Sequence, residues 1–228
     1  MTNLFLDAVA KSDVGLVRKN NEDSYLCITD VPTSKYLDTI LIVADGMGGH
    51  SAGEVASQMT VDYLSNSLGQ ASFNADDESK GYSQMLAKLL QQANTEVYEA
   101  GRSQSRFNMG TTCSVLIKTG NILSIAHVGD SRIYLMRNGN FQQLTHDHTW
   151  VYEQIISGNL TKEESLTHPY RNILTKAIGT STGIEVDHFE LEARHGDLLL
   201  MCSDGLSTLV NDDVILSIIQ NSDIDKAS

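Results

Sequence analysis

The sequence has few of the features that mark fibrous, disulfide-rich or membrane-embedded proteins. Its 228 residues include two prolines and three cysteines, and its longest apolar runs, 39–44 and 198–202, are far too short to span a bilayer. With 41% hydrophobic and 20% charged residues, the composition is globular and excludes disordered and collagen-like classes. The length suits one large domain, which we expect to cover residues 1–228.

The three cysteines, Cys27, Cys113 and Cys202, are scattered through apolar stretches. An odd number in such positions disfavours a disulfide framework or a zinc knuckle and predicts free core thiols. The first residues lack a basic segment followed by a long apolar one, so no signal peptide is predicted. We therefore expect a cytoplasmic protein with no membrane partner.

Positive charge is also scarce. Sixteen Lys and Arg face 29 Asp and Glu, which leaves a formal net charge of -13. Such a chain repels nucleic-acid backbones and anionic lipid, so neither is an expected partner. An anionic substrate would need the charge reversed at the site, and bound metal ions are the simplest means.

Hydrophobic periodicity and turn residues predict an α+β fold built on antiparallel strands. Predicted helices cover 51–68, 83–100, 147–157 and 213–220, with 70–81 as a solvated loop and 158–172 as an irregular insertion. Predicted strands cover 39–44, an antiparallel meander of 111–118, 122–128, 132–137 and 141–144, and a hairpin of 185–191 with 197–202. Consecutive strands with grouped helices favour two stacked sheets flanked by helices over a parallel fold.

Three of these strands run directly into an aspartate that neighbours a glycine: Asp45, Asp130 and Asp204. Any one of them is ordinary turn chemistry. Three at the ends of core strands favour a cluster of convergent carboxylates, with glycine allowing a metal or substrate to approach the backbone.

A charged segment near the start, RKNNEDS at 18–24, adds Arg18, Glu22 and Asp23. Taken alone it is typical of an exposed turn. Together with the three aspartates it gives an oxygen-rich donor set that suits Mg²⁺ or Mn²⁺. Two such ions can activate a water for in-line attack at phosphorus, and an arginine beside them can grip phosphate oxygens bidentately.

The chain resembles the PP2C-type (PPM) metal-dependent serine/threonine protein phosphatases in their bacterial form. The matching motifs occur in the family's order almost from end to end: SDVGLVR at 12–18, NNED at 20–23, VADGMGGH at 43–50, GTT at 110–112, HVGDSR at 127–132, LTHDHT at 144–149, NILT at 172–175 with AIG at 177–179, and CSDGL at 202–206.

The resemblance implies a set of metal ligands. Asp45 would bridge two Mn²⁺ or Mg²⁺ ions, with the Gly46 carbonyl as a further ligand. Glu22 would serve the second ion, Asp23 would hold metal-bound water, and Asp204 would bind the first ion.

The resemblance also implies that Arg18 binds the substrate phosphate. Asp130, with Asp204, would form the third metal site of bacterial relatives, and residues 152–171 would be the flap beside the site. The implied fold is a sandwich of two antiparallel sheets flanked by pairs of helices. The implied reaction is hydrolysis of phosphoserine and phosphothreonine by a metal-activated water, with no phosphoenzyme intermediate. The implied substrates are proteins phosphorylated by a cognate Ser/Thr kinase.

Two departures from the family pattern bear on this expectation. Met47 stands where eukaryotic members carry a histidine, so the role of general acid cannot be transferred to this position, and His50 is only a neighbour in sequence. The family's terminal Gly-rich turn with Asp-Asn, which supplies a further ligand of the first metal, is not found in this sequence. We therefore expect weaker metal binding than in relatives that carry this motif.

Two alternatives stay open at the level of sequence. The missing motif allows a catalytically impaired protein that binds phosphoproteins without turnover, although Arg18 and the carboxylates argue against it. Another metal-dependent phosphoester hydrolase, such as a nuclease, is disfavoured by the net negative charge and the lack of a basic stripe.

Overall fold

The computed structural model describes residues 4–31, 36–48, 52–73, 81–103 and 109–221. Its strands are β1 (Asp23–Ile28), β2 (Thr39–Met47), β3 (Gly110–Thr111), β4 (Cys113–Thr119), β5 (Ile122–Val128), β6 (Arg132–Arg137), β7 (Asn140–Gln143), β8 (Asp187–Glu192) and β9 (Leu198–Cys202). Its helices are α1 (Ala52–Gln70), α2 (Ser83–Ser103), α3 (Trp150–Ile156), α4 (Lys162–Thr167), α5 (Asp204–Ser207) and α6 (Asp212–Asn221).

The larger sheet has the order β1-β2-β4-β5-β8, with the short β3 paired to the end of β2. Every pairing is antiparallel. β4 is buried along its whole length because it lies in the middle of this sheet and is covered on both faces. The long helices α1 and α2 pack against the sheet and each other, and their buried apolar side chains form the main core with β2 and β4.

The smaller sheet has the order β7-β6-β9. A second apolar cluster joins the two sheets, with Leu116, Leu123 and Ile125 from the larger sheet against Ile133 from the smaller one. The arrangement is the expected α+β sandwich of two antiparallel sheets with helices outside. Burial of this inter-sheet cluster fixes the distance between the sheets, and so places the ends of their strands side by side.

Two predicted strand pairings are wrong. The segments 185–191 and 197–202 do not form a hairpin, because β8 pairs with β5 while β9 pairs with β6 in the other sheet. The predicted four-strand meander also divides between β5 and β6, since the turn 129–131 carries the chain from one sheet to the other. Alternation and turn residues mark strands correctly but do not reveal which partner a strand chooses.

Other differences are local. β1 was not predicted, because its first residues were assigned to a charged turn. The predicted strand 111–118 is interrupted at Thr112, which separates β3 from β4. The predicted helix 147–157 is the shorter α3, and the insertion 158–172 contains α4, which begins with a capping box at Thr161. Most of the predicted loop 70–81 lies outside the described residues.

The predicted state of the cysteines is confirmed. All three are free, and Cys113 and Cys202 are buried. Within the ranges that the structure describes, no helix is both long and apolar enough to cross a membrane.

The inter-sheet cluster gives a test of the sandwich. Leu116→Ala removes a fully buried side chain between the sheets and should lower the free energy of unfolding by about 2–5 kcal/mol. Leu166→Ala is the matched control, because Leu166 in α4 is 69% exposed and should change stability by less than about 0.5 kcal/mol. Urea unfolding of both variants measures the difference. Equal effects would contradict the packing described here.

Candidate metal centre

Asp45 and Asp23 lie directly opposite each other where β2 pairs with β1. Residues in direct register across an antiparallel pair project to the same face of the sheet, so the two carboxylates are neighbours. Their contact follows from a pairing register that is set by the buried residues farther along both strands. Asp45 lies near the end of β2, where the strand leaves the core.

Gly46 allows three backbone segments to meet behind these carboxylates. Its N–H donates to the Glu22 carbonyl at 3.1 Å. A Cβ at this position would lie 2.1 Å from the Gly53 carbonyl oxygen and 2.7 Å from the Glu22 carbonyl oxygen. In turn, a Cβ at Gly53 would lie 2.8 Å from Oε1 of Glu22. Two glycines therefore let the first turn of α1, the end of β2 and Glu22 approach closely.

Asp204 reaches the same place from the other sheet. It begins α5 directly after β9, and the preceding Ser203 donates from Oγ to Oδ2 of Asp23 at 2.7 Å. This hydrogen bond ties the end of β9 to the start of β1. The Asp204 carboxyl is close enough to Asp45 to hydrogen-bond with it and to alter its pKa.

Asp130 is held near Asp45 through Thr112, the residue between β3 and β4. The Asp45 N–H donates to Thr112 Oγ1 at 3.0 Å, and the Thr112 N–H donates back to the Asp45 carbonyl at 2.9 Å. Thr112 Oγ1 also lies 2.6 Å from Ser131 Oγ, directly after Asp130. The break in the predicted strand 111–118 thus provides the link between two predicted ligands.

The cluster carries more negative charge than its surroundings balance. Burial, followed by the charges of Asp23, Asp204 and Asp130, raises the pKa of Asp45 well above its ordinary value. Burial and the carboxylates of Asp204 and Asp147 raise the pKa of Asp130 to about 7, although Arg132 opposes the shift. Carboxylates that cannot all ionise without a counter-charge are a suitable donor set for a hard divalent cation.

The donor set therefore fits Mg²⁺ or Mn²⁺ by its chemistry, although it is open. Among the residues that the structure describes, no three His, Cys, Asp or Glu side chains are already gathered into a metal-holding arrangement.

Arg18 stands at the rim of the cluster. Its Nη1 donates to Oε2 of Glu22 at 3.0 Å, while the rest of its side chain is 74% exposed. Glu22 is far less exposed, so the pair places an accessible guanidinium beside the carboxylates. An arginine fork in this position is suited to a doubly charged oxyanion.

The structure brings together the aspartates that the sequence singled out, and it adds residues that the sequence did not. The four that meet are Asp23, Asp45, Asp130 and Asp204, with Glu22, Gly46 and Arg18 at their edge. Thr112, Ser131 and Ser203 were missed as positioning residues. A serine adjacent to a strand-end aspartate was the available signal for Ser131 and Ser203, whereas no local signal marked Thr112. His50 lies outside the described residues.

Comparison with known proteins agrees with this geometry. The family model described as "Protein phosphatase 2C" matches residues 18–222. The chain belongs to this family of metal-dependent phosphatases. It is 39% identical over 206 residues to "Serine/threonine phosphatase stp" of Listeria innocua, covering 90% of this chain and 79% of that relative.

Solved structures show the same fold. A Streptococcus relative, "S. agalactiae serine/threonine phosphatase", superposes with a TM-score of 0.83 at 34% identity, covering 94% of this chain and 86% of the other. The catalytic domain of the phosphatase PstP, solved in complex with two manganese ions, superposes with a TM-score of 0.77 at 34% identity, covering 94% and 84%.

The glycine contact at the centre can be tested directly. Gly46→Ala forces a Cβ into the Gly53 and Glu22 carbonyls and should destabilise the fold by about 1–3 kcal/mol or more. Gly69→Ala is the control, since outside its own helical turn no atom of the described residues lies within 4 Å of its Cβ position in α1, and it should stabilise by up to about 1 kcal/mol. Thermal unfolding measures both. A stable Gly46→Ala protein would show that the three segments do not need this close approach.

Proposed function

We propose that this chain is a phosphoprotein phosphatase that hydrolyses phosphoserine and phosphothreonine at a centre holding two Mn²⁺ or Mg²⁺ ions, with a third ion near Asp130. The observation that carries the proposal is the meeting of four partly buried aspartates from both sheets, where burial and neighbouring carboxylates raise the pKa of Asp45 and Asp130. Membership of the PP2C family and the likeness to a manganese-containing relative support it.

Each carboxylate has a proposed role that matches its position. Asp45 would lie between the two ions, with the Gly46 carbonyl and Glu22 completing their ligands on the side of β1. Asp23 would hold water at the centre, and Asp204 would serve the first ion from the second sheet. When bound, two such ions supply a strong nucleophile from water at neutral pH and offset charge on the phosphoryl group.

Arg18 has the proposed role of binding the substrate phosphate. Its exposed guanidinium can donate two hydrogen bonds to phosphate oxygens in a forked arrangement, which neutralises charge and fixes the direction from which the phosphorus is approached. The hydrogen bond to Glu22 keeps the arginine close to the carboxylates without removing its remaining donors from solvent.

Residues 152–171 are proposed as a flap beside the site. Trp150 stacks on His168 with 4.9 Å between ring centroids and meets Tyr170 edge to face at 5.3 Å, which closes the base of the segment. Ile156 and Leu166 are each 69% exposed on it. These apolar side chains offer a surface for the residues that flank a phosphorylated serine or threonine.

The proposed setting is bacterial signalling in the cytoplasm, with phosphorylated targets of a Ser/Thr kinase as partners. The net charge of -13 supports a protein rather than a nucleic-acid partner. We further propose that residues 1–228 act as a single domain.

The proposal is tested by phosphate release from a phosphothreonine peptide, with Mn²⁺ and with EDTA. Replacing an outer-shell partner of a metal typically costs about 10–100-fold, so Asp45→Asn, which alters the central ligand itself, should cost at least about 100-fold. Asp213→Asn is the matched control, because Asp213 is an exposed carboxylate at the start of α6. EDTA should abolish release by the wild type.

Phosphate release that persists in EDTA or in Asp45→Asn would contradict the proposed centre. A folded wild-type protein that releases no phosphate at any Mn²⁺ concentration, yet binds the phosphopeptide, would favour the alternative of a binding protein without turnover.

A further inference from the structure

The turn that carries Asp130 is conformationally demanding. Gly129 has φ +107°, a region that side-chain-bearing residues rarely adopt. A Cβ there would lie 2.5 Å from Cβ and Cγ2 of Thr112, the residue that links Asp45 to Ser131. The direction in which Asp130 leaves β5 therefore depends on whatever holds the backbone of Gly129.

His148 holds Gly129 by two hydrogen bonds. The His148 N–H donates to the Gly129 carbonyl at 2.8 Å, and the Gly129 N–H donates to Nδ1 of His148 at 3.1 Å. His127 adds a second contact, because its Nε2 lies 3.0 Å from the same carbonyl. One histidine thus satisfies both backbone groups of the residue before Asp130.

The hydrogen bond to Gly129 fixes the state of the His148 ring. A ring nitrogen that accepts from an amide carries a lone pair, so the neutral ring bears its proton on Nε2. Burial lowers the pKa of His148, which favours this neutral form, while Asp187 opposes the shift. The ring orientation that presents Nδ1 to Gly129 must therefore place an N–H donor on its opposite side.

The Asp187 carboxylate lies close to that nitrogen. Nε2 of His148 lies 3.4 Å from Oδ2 of Asp187 at the start of β8. His148 is only 7% exposed, and Nε2 is buried with no hydrogen-bond partner among the described residues. A buried donor that faces a carboxylate without a formed hydrogen bond needs only a small movement to satisfy itself.

We propose that His148 and Asp187 are positioning residues for Asp130, an inference that rests on the proposed function. Asp187 orients the imidazole, the imidazole fixes the Gly129 amide, and the amide aims the Asp130 carboxylate at the cluster. Neither side chain touches substrate. Because the His148 carbonyl also accepts from the Thr175 N–H at 2.9 Å, the same residue joins this turn to the segment that follows the flap.

Isosteric variants separate positioning from packing. In His148→Asn the amide oxygen takes the place of Nδ1 and can still accept from Gly129. In His148→Gln the amide reaches toward the place of Nε2 and leaves the Gly129 N–H without an acceptor. The measurement is the Mn²⁺ concentration for half-maximal phosphate release, with calorimetric Mn²⁺ binding and melting temperature as parallel readouts.

His148→Gln should raise the half-maximal Mn²⁺ concentration by about 10–100-fold, while His148→Asn, which keeps the acceptor for Gly129 but loses the contact with Asp187, should raise it by a smaller factor. Asp187→Ala should also raise the half-maximal Mn²⁺ concentration, by a smaller factor than His148→Gln. This variant tests the proposal even if His148→Gln does not fold. His188→Ala is the matched control, because this neighbouring ring lies instead 3.2 Å from Ser83 Oγ and should leave the Mn²⁺ dependence unchanged.

Wild-type Mn²⁺ dependence in both His148→Gln and Asp187→Ala, or an equal loss in His148→Asn and His148→Gln, would overturn the positioning role. A lowered melting temperature with unchanged Mn²⁺ binding would do the same. If the wild type binds Mn²⁺ but releases no phosphate, the proposed function fails instead, and the calorimetric comparison still decides the role of His148.

Discussion

Repulsion among buried carboxylates is the constraint on which the rest of this structure depends. Asp45 and Asp130 are partly buried near other carboxylates, and burial together with the neighbouring negative charges raises the pKa of both groups. A fold does not gather such groups without an opposing interaction, because each costs desolvation and Coulomb energy. The proposed pair of divalent cations would supply that interaction.

The two sheets explain how the carboxylates converge. The apolar cluster between the sheets sets their spacing, and the aspartates stand where strands leave that core. Thr112 and Ser203 then join the ends by short hydrogen bonds, and Gly46 and Gly129 permit close backbone contacts. The residues that stabilise the fold are therefore separate from those of the candidate site. The buried strands form the scaffold, and the candidate metal ligands lie at the strand ends.

Much of the fold and most of the candidate cluster could be predicted from sequence. Asp45, Asp130 and Asp204 were identified by their place after apolar strands. This pattern is local in sequence, so it can be recognised without knowing which strands pair. The partner strands of β8 and of β9 could not be predicted this way, because the sheet that each strand joins depends on burial against residues far away in sequence. β1 was missed for a related reason, since its charged first residues are those that face the cluster.

The roles of Thr112 and His148 show what sequence reasoning cannot reach. Each acts through a backbone amide of a distant residue, and neither contact follows from residue type or spacing. His148 lies in the family-like motif at 144–149, and nothing in that motif predicts that its Nδ1 accepts from Gly129. Only the placement of β5 beside the segment before α3 reveals this connection.

The most direct test of the central claim is the thermal unfolding of Asp204→Asn with and without Mn²⁺. If uncompensated carboxylates dominate the centre, removing one charge should raise the melting temperature of the metal-free protein and abolish most of the stabilisation by Mn²⁺. Asp213→Asn should leave both quantities unchanged. A metal-free Asp204→Asn protein that melts lower than the wild type and is still stabilised fully by Mn²⁺ would contradict the account.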